Sequence, residues 1–229
     1  IKTFPWLMKV MDEYMIKIRI KNNYHAMTVL LQNIIWNHIS DDIIEYIDHH
    51  ECHALSPVYF YGLYQKPDPV LIFTLDGRWD TNCASVKIRE NGILKNVSES
   101  ANNNSLGFLW SLVTVWMGMK QLEHEYKVMW LAAYTEEKYF SYLYEKIFKP
   151  ILWIDWLEWK SSIPTNRANI YFKDKFYGHR FDNIAWALQY MTEKLVLERI
   201  ENAIEKTWIT TIATSWGVFM NVKLNKKIQ

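Results

Sequence analysis

With 229 residues, half of them hydrophobic and 22% charged, the chain is long enough for a sizeable core and too apolar for disorder. Its net charge of +1 gives no electrostatic reason to expect nucleic acid or an anionic membrane as a partner. Two cysteines, Cys52 and Cys83, are too few for a disulfide framework and fit a reducing, cytoplasmic compartment.

Residues 1–45 carry two helical stripes, Leu7, Val10, Met11 and Tyr14, then Met27, Leu30, Leu31, Ile34 and Ile35. Between them Lys17 to Lys21 is a basic alternating piece, read as a solvated face. Lys2, Lys9, Asp12 and Glu13 interrupt the apolar opening, so no secretory signal is expected. Ile43 to Ile47 enters the histidine stretch as a short strand or a helix start. Ala54 to Tyr64 reads as helix with Leu55, Val58, Tyr59 and Leu63 inward, and Gln65 to Pro69 as a loop by its two prolines. Val70 to Leu75 is an apolar, β-branched run that predicts a buried strand delivering Asp76 to a turn at Asp76-Gly77. Cys83 to Arg89 alternates with period two, and Asn91-Gly92 predicts a tight hairpin into a return strand over Ile93 to Val97.

Asn102 to Gly107 is a polar loop before an apolar helix over Phe108 to Met119. The uncharged run from Ser105 to Met119 falls short of the ~20 residues of a membrane span, and no membrane partner is expected. Glu123 to Tyr134 is mixed polar and apolar, Glu136 to Phe148 an amphipathic helix, and Ile151 to Trp159 aromatic-rich and ambiguous. Pro164 to Gly178 reads as irregular, a candidate lobe boundary. Asp182 is expected to cap a helix over Asn183 to Lys206, with a stripe of Ile184, Leu188, Met191, Leu195, Ile200 and Ile204. Ile209 to Ala213 predicts a strand, Ser215-Trp216-Gly217 a turn, and Val218 to Ile228 a helix start. The class is therefore mixed α/β. A strand, turn and helix N-terminus in that last unit predict an anion site, because free N–H groups and the helix dipole converge there.

Chemistry concentrates in two stretches. His49 and His53, four apart, would stack on one helix face, and Asp76 follows within thirty residues. Two nitrogens and one oxygen suit zinc or iron(II) with positions left open. His50 adds a third imidazole, of which only two can share a face. Taken singly, a histidine pair is more often a surface or structural feature, and Asp-Gly after a strand is most often a turn. One compositional feature is unusual: 12 Trp against 7 Gly, where average Gly usage is about 7%. Several of those Trp stand where an element meets a turn, among them Trp208, where a helix would ordinarily end in Gly.

Six ordered blocks, H-H-E-C-H-A-L-S (49–56), T-L-D-G-R-W-D (74–80), S-L-G-F-L-W-S-L-V-T (105–114), E-Y-K-V-M-W-L-A-A-Y (125–134), D-N-I-A-W-A-L-Q (182–189) and S-W-G-V-F-M-N-V-K-L-N (215–225), together resemble the NodU/CmcH family of O-carbamoyltransferases. The resemblance covers about 45–229. It implies ribonuclease H-like mixed-sheet lobes with flanking helices, as in the actin, sugar kinase and heat-shock ATPase superfamily. The chain would be one domain incomplete at both ends, a first lobe over about 1–178 and the start of a second over about 179–229. The implied activity is transfer of a carbamoyl group to a hydroxyl of a small-molecule acceptor, from carbamoyl phosphate through an ATP-derived carbamoyl-adenylate. His49, His53 and Asp76 would hold an iron-type divalent metal, with zinc or manganese as alternatives. Gly77, Glu125, Lys127, Gly217 and Asn221 would lie around the nucleotide. The metal, or an imidazole such as His50 or His124, could activate the acceptor hydroxyl, and Lys127 could meet the oxyanion. A YrdC-like domain would form the adenylate; homo-oligomerisation is left open.

The family pattern has glycine where this chain has Trp79, Trp130 and Trp216, and proline where it has Ala133. Those changes bear on whether this chain is active. Two other readings follow: a non-catalytic interaction domain of the same fold, or a threonylcarbamoyl-transfer protein acting on tRNA.

Overall fold

The computed structural model describes residues 47–229, so the N-terminal stripes, the basic piece and most of the lead-in strand lie outside the described residues. The central strand is β1 (Val70–Trp79). Leu71, Phe73 and Leu75 enter the main core, while Val70 and Ile72 enter a second, smaller one. Successive side chains of a strand point to opposite faces, so a run apolar at every position is buried on both. β2 (Asn82–Glu90) pairs antiparallel with β1, β3 (Ile93–Ala101) antiparallel with β2, and β6 (Ile212–Ser215) parallel with β1 on its other side. The sheet order is β3-β2-β1-β6.

Asn91 and Gly92 both take positive φ (51° and 77°), the two-residue turn whose twist matches that of the flanking strands. The return strand runs on to Ala101, beyond the expected Val97. β2 is not a half-buried alternating strand, since Cys83 to Lys87 are all buried. One face of the sheet is covered by α1 (His49–Phe60), through Ala54 and Val58. The other is covered by α2 (Leu106–Trp116) and α6 (Phe181–Thr207). Tyr59, expected inward, is exposed, because α1 ends at Phe60 and a 3-10 turn over Leu63–Gln65 brings Leu63 back to the core instead.

Between these helices lie α3 (Glu125–Leu131), α4 (Glu137–Leu143) with a π-helical turn over Tyr144–Phe148, a hairpin of β4 (Leu152–Asp155) and β5 (Glu158–Ser161), and α5 (Ala168–Lys175). The ambiguous aromatic stretch is thus a hairpin. The segment expected to be irregular is mostly helix, with Phe172 and Phe176 stacked 4.4 Å apart in the main core. Asp182 is not the cap of α6 but the second residue of the helix. Its carboxylate accepts the Asn183 N–H at 2.9 Å and pairs with Arg180 at 2.7 Å. The predicted stripe is buried from Ile184 to Ile200, with Ile204 at its edge. β6 begins at Ile212 rather than Ile209, and α7 (Val222–Ile228) follows a 3-10 turn over Gly217–Met220. No helix of the described residues is long and apolar enough to cross a membrane.

Arg199 of α6 is buried under the hairpin, its guanidinium 5.4 Å from the Trp159 ring and its Nε–H donating to the Leu157 carbonyl at 2.8 Å. Burial pulls its pKa down to about 10. Arg199→Ala removes the shorter of two hydrogen bonds to that carbonyl, which Ser98 Oγ also reaches at 3.2 Å, and leaves a void beside Trp159, so the unfolding free energy should fall by about 2–3 kcal/mol in a denaturant titration. Lys206→Ala on the exposed end of the same helix should change it by less than about 0.5 kcal/mol.

Candidate metal centre and adjoining cavity

α1 starts at His49 because Asp48 caps it, its carboxylate accepting the Glu51 N–H at 3.1 Å. A second carboxylate, Asp80 in the β1–β2 turn, accepts the His49 N–H at 3.0 Å and pins the first turn of α1 to the sheet. One helical turn apart, His49 and His53 both aim at Asp76, and each Nε2 lies 3.0 Å from the same Oδ2. The two rings meet edge-on with centroids 4.2 Å apart. One ligand atom from each of the three residues falls within 4.8 Å of the others. The side chains are 30% (His49), 14% (His53) and 21% (Asp76) exposed, so the cluster is reachable from solvent. Burial alone would raise the Asp76 carboxyl, but hydrogen bonds from His53, His49 and the Gly77 N–H outweigh it and hold the group well below the ordinary carboxylate range.

Asp76 is not at a turn, as expected from Asp-Gly; β1 continues to Trp79, with its pairing to β2 interrupted between Leu75 and Trp79. The chain reverses at Asp80-Thr81. Two glycines let other backbone close on this point. A Cβ at Gly107, in the first turn of α2, would lie 2.6 Å from the Asp76 carbonyl oxygen. A Cβ at Gly217 would lie 2.2 Å from the Leu75 carbonyl oxygen and 2.8 Å from Asp76 Oδ1. Ser105, the cap of α2, accepts the Phe108 N–H at 3.0 Å and donates to the Gly77 carbonyl at 2.7 Å. The strand backbone at Asp76 is therefore flanked by other backbone at both Gly107 and Gly217.

His50 goes elsewhere. Its ring is 1% exposed, with Nδ1 2.7 Å from Thr74 Oγ1 and Nε2 3.1 Å from the Asn82 carbonyl. That carbonyl can only accept, so Nε2 carries the proton and Nδ1 accepts from Thr74. Burial pushes its pKa down to about 4. A neutral, enclosed imidazole with both nitrogens engaged ties α1 to β1 and β2 and is out of reach of an acceptor hydroxyl, which corrects its expected place in the chemistry.

A cavity of about 460 Å³ opens beside Asp76, and its wall includes Gly77, Glu125, Gly217 and Asn221. Lys127 is not on that wall; half-buried on α3, its Nζ lies 5.8 Å from the Tyr126 ring centroid. Glu125 is engaged, accepting from Ser111 Oγ at 3.1 Å and the Leu122 N–H at 2.7 Å. Asn221 caps α7, accepting the N–H groups of Lys223 and Leu224 at 3.1 Å, while its Nδ2 donates to Gln189 at 2.7 Å. It shapes the wall rather than offering a free amide.

Sequence reasoning did not single out Arg78, Ser105 and Asp80. Arg78 is the one cation on the cavity wall among the described residues, 5.7 Å from the Phe108 ring centroid. Its signal was available: residues two apart on a strand share a face, and Asp76 and Arg78 are two apart on β1.

Fold and side chains together define an α/β protein in which two histidines of α1 meet a carboxylate of the central strand, and that carboxylate also lines a cavity. Residues 9–229 match the family model described as carbamoyltransferase N-terminus, and the chain belongs to that family. One uncharacterized protein of Methanocaldococcus jannaschii is 28% identical over 186 residues, 77% of this chain and 35% of its own length. A second from the same organism is 30% identical over 203 residues, covering 79% and 32%. An uncharacterized protein of Synechocystis is 24% identical over 196 residues, covering 79% and 31%. The chain thus spans about a third of the length of the curated relatives it matches.

Proposed function

We propose that this chain is the acceptor-side portion of a carbamoyltransferase that moves a carbamoyl group from carbamoyl-adenylate, made from carbamoyl phosphate and ATP, to a hydroxyl of a small molecule. Family membership supports the carbamoyl group as cargo. The observation that carries the rest is that Asp76 belongs both to the His49/His53 cluster and to the cavity wall, so a ligand in the cavity abuts the cluster. The sheet, an antiparallel β1-β2-β3 meander with a parallel β6 beside β1, supports a ribonuclease H-like lobe. Formation of the adenylate is assigned to the part of the relatives' length beyond this chain.

The donor set fits a divalent metal: two imidazole nitrogens and a carboxylate kept ionised converge, with one side open. His49, His53 and Asp76 would hold it, iron(II) first and zinc or manganese as alternatives, and it would supply electrostatic stabilisation to a developing oxyanion. The chain's own residues do the rest. Arg78 meets phosphate charge in the cavity, and Phe108, Met129 and Val218 give a flat base an apolar wall. The acceptor oxygen forms the new bond to the carbamoyl carbon as the bond from that carbon to the adenylate oxygen breaks; AMP leaves with the electron pair, and the hydroxyl proton passes to solvent water on the open side of the cluster.

The full-length protein should convert ATP to AMP and pyrophosphate only when carbamoyl phosphate is present, and turnover indifferent to carbamoyl phosphate rejects the reading. In calorimetric titration of this chain with AMP, the leaving group, Arg78→Ala should weaken binding about tenfold or more, the worth of a charge-assisted contact. Unchanged affinity would remove Arg78 from the phosphate site.

A further inference from the structure

Tryptophan occupies backbone built for glycine. Among the described residues, the positions with positive φ that are not glycine include Trp156 (57°), Trp208 (60°) and Trp216 (61°). Asp80, Asn91 and Leu122 (65°) also have positive φ; Leu122 is the one aliphatic case among the described residues, and at the other two short polar side chains tolerate it. An indole on a Cβ does not, and each of the three turns is of a kind that takes glycine for its own reason. Trp156 is the first residue of the two-residue loop between β4 and β5, where Asp155 pairs with Glu158 and left-handed φ at the first position calls for glycine. Trp208 is the left-handed cap of α6, its N–H donating to the Ile204 carbonyl at 2.7 Å. Trp216, with φ 61° and ψ 175°, stands in a region that is essentially glycine's alone.

Function does not account for this. Trp208 is 87% exposed, and Trp156 is half exposed on the hairpin; only Trp216 touches the metal-centre residues, stacked on His53 at 5.4 Å. Other tryptophans use their ring: Trp110 is buried with its Nε1–H on Thr192 at 2.9 Å, and Trp159, though its Nε1–H finds no acceptor, packs its buried ring beneath the Arg199 guanidinium. The chain thus holds two populations of one residue type, alongside 12 Trp and only 7 Gly. We infer that positions 156, 208 and 216 are glycine in the protein as its own cell makes it, the codon read as tryptophan there being decoded as glycine. At position 216 the consequence is functional: no indole covers His53, and bare backbone faces the ligand beside Asp76. The inference rests on backbone conformation and is independent of the proposed reaction.

Peptide mass spectrometry of the protein isolated from the organism that encodes it decides the matter. Peptides spanning 156, 208 and 216 should each be lighter than tryptophan requires by the difference between an indole side chain and a hydrogen, while those spanning Trp110 and Trp159 carry the full tryptophan mass. Tryptophan mass at all three positions overturns the inference. The gene should also use one codon at these three positions and another at Trp110 and Trp159; a single codon throughout overturns it as well. In the recombinant chain, Trp208→Gly should raise the thermal midpoint by about 2–4 °C, and a fall would count against a glycine-built cap.

Discussion

His49→Ala and His53→Ala should each lower the divalent metal carried by the purified protein tenfold or more, because each removes one of the three candidate ligands that converge among the described residues. His50→Ala should leave the metal content unchanged. It should instead cost about 2–3 kcal/mol of stability, since it takes the imidazole partner from the Asn82 carbonyl and from the Thr74 hydroxyl, which keeps only Ser85, and leaves a void in a closed space. Elemental analysis beside denaturant unfolding of the three variants separates the roles. Equal metal loss in all three would dissolve the ligand assignment, and with it the reason for placing the chemistry at Asp76.

Gly217→Ala should damage stability and metal content together. The added methyl would lie 2.2 Å from the Leu75 carbonyl oxygen and 2.7 Å from the Asp76 Cα, and these are backbone atoms of a strand buried on both faces, which cannot swing aside. The turn after β6 must lift away from β1, carrying Asp76 off its position under the imidazoles. A stability loss of about 3 kcal/mol is expected, overpacking added to a left-handed φ of 54°. Gly92→Ala isolates the second of those costs, because it has φ 77° with nothing near its Cβ, and should lose only about 1–2 kcal/mol and no metal. If urea titration gives the two variants the same loss, close packing at Gly217 is not what holds Asp76.

Both predictions depend on features of unequal visibility in the sequence. Elements were readable where one periodicity dominated: the unbroken apolar run of β1, the Asn91-Gly92 hairpin and the stripe of α6. The 151–159 hairpin and α5 were not, because their aromatic residues serve one shared core and carry no clean period of their own. β2 was legible as a strand, though its polar Ser85, Lys87 and Arg89 are buried along with its apolar residues. The end of β1 misled through Asp-Gly, a strong turn signal locally, overridden by the backbone of Gly107 and Gly217 pressing on it from either side.

Sequence alone determined the donor types: two imidazoles one helical turn apart and a strand-borne carboxylate, because helix and strand periods are properties of the local chain. The four-residue spacing already singled out His49 and His53, but where the third imidazole goes was decided only by tertiary structure. His50 and His53, three apart, could also share a helix face, but docking α1 on β1 and β2 gives His50 to Thr74 and Asn82 and leaves His49 and His53 for Asp76. The same packing put Arg78 on the cavity wall and left Lys127 off it. Side-chain direction along an element is local chemistry, whereas the neighbour it meets depends on where that element is packed.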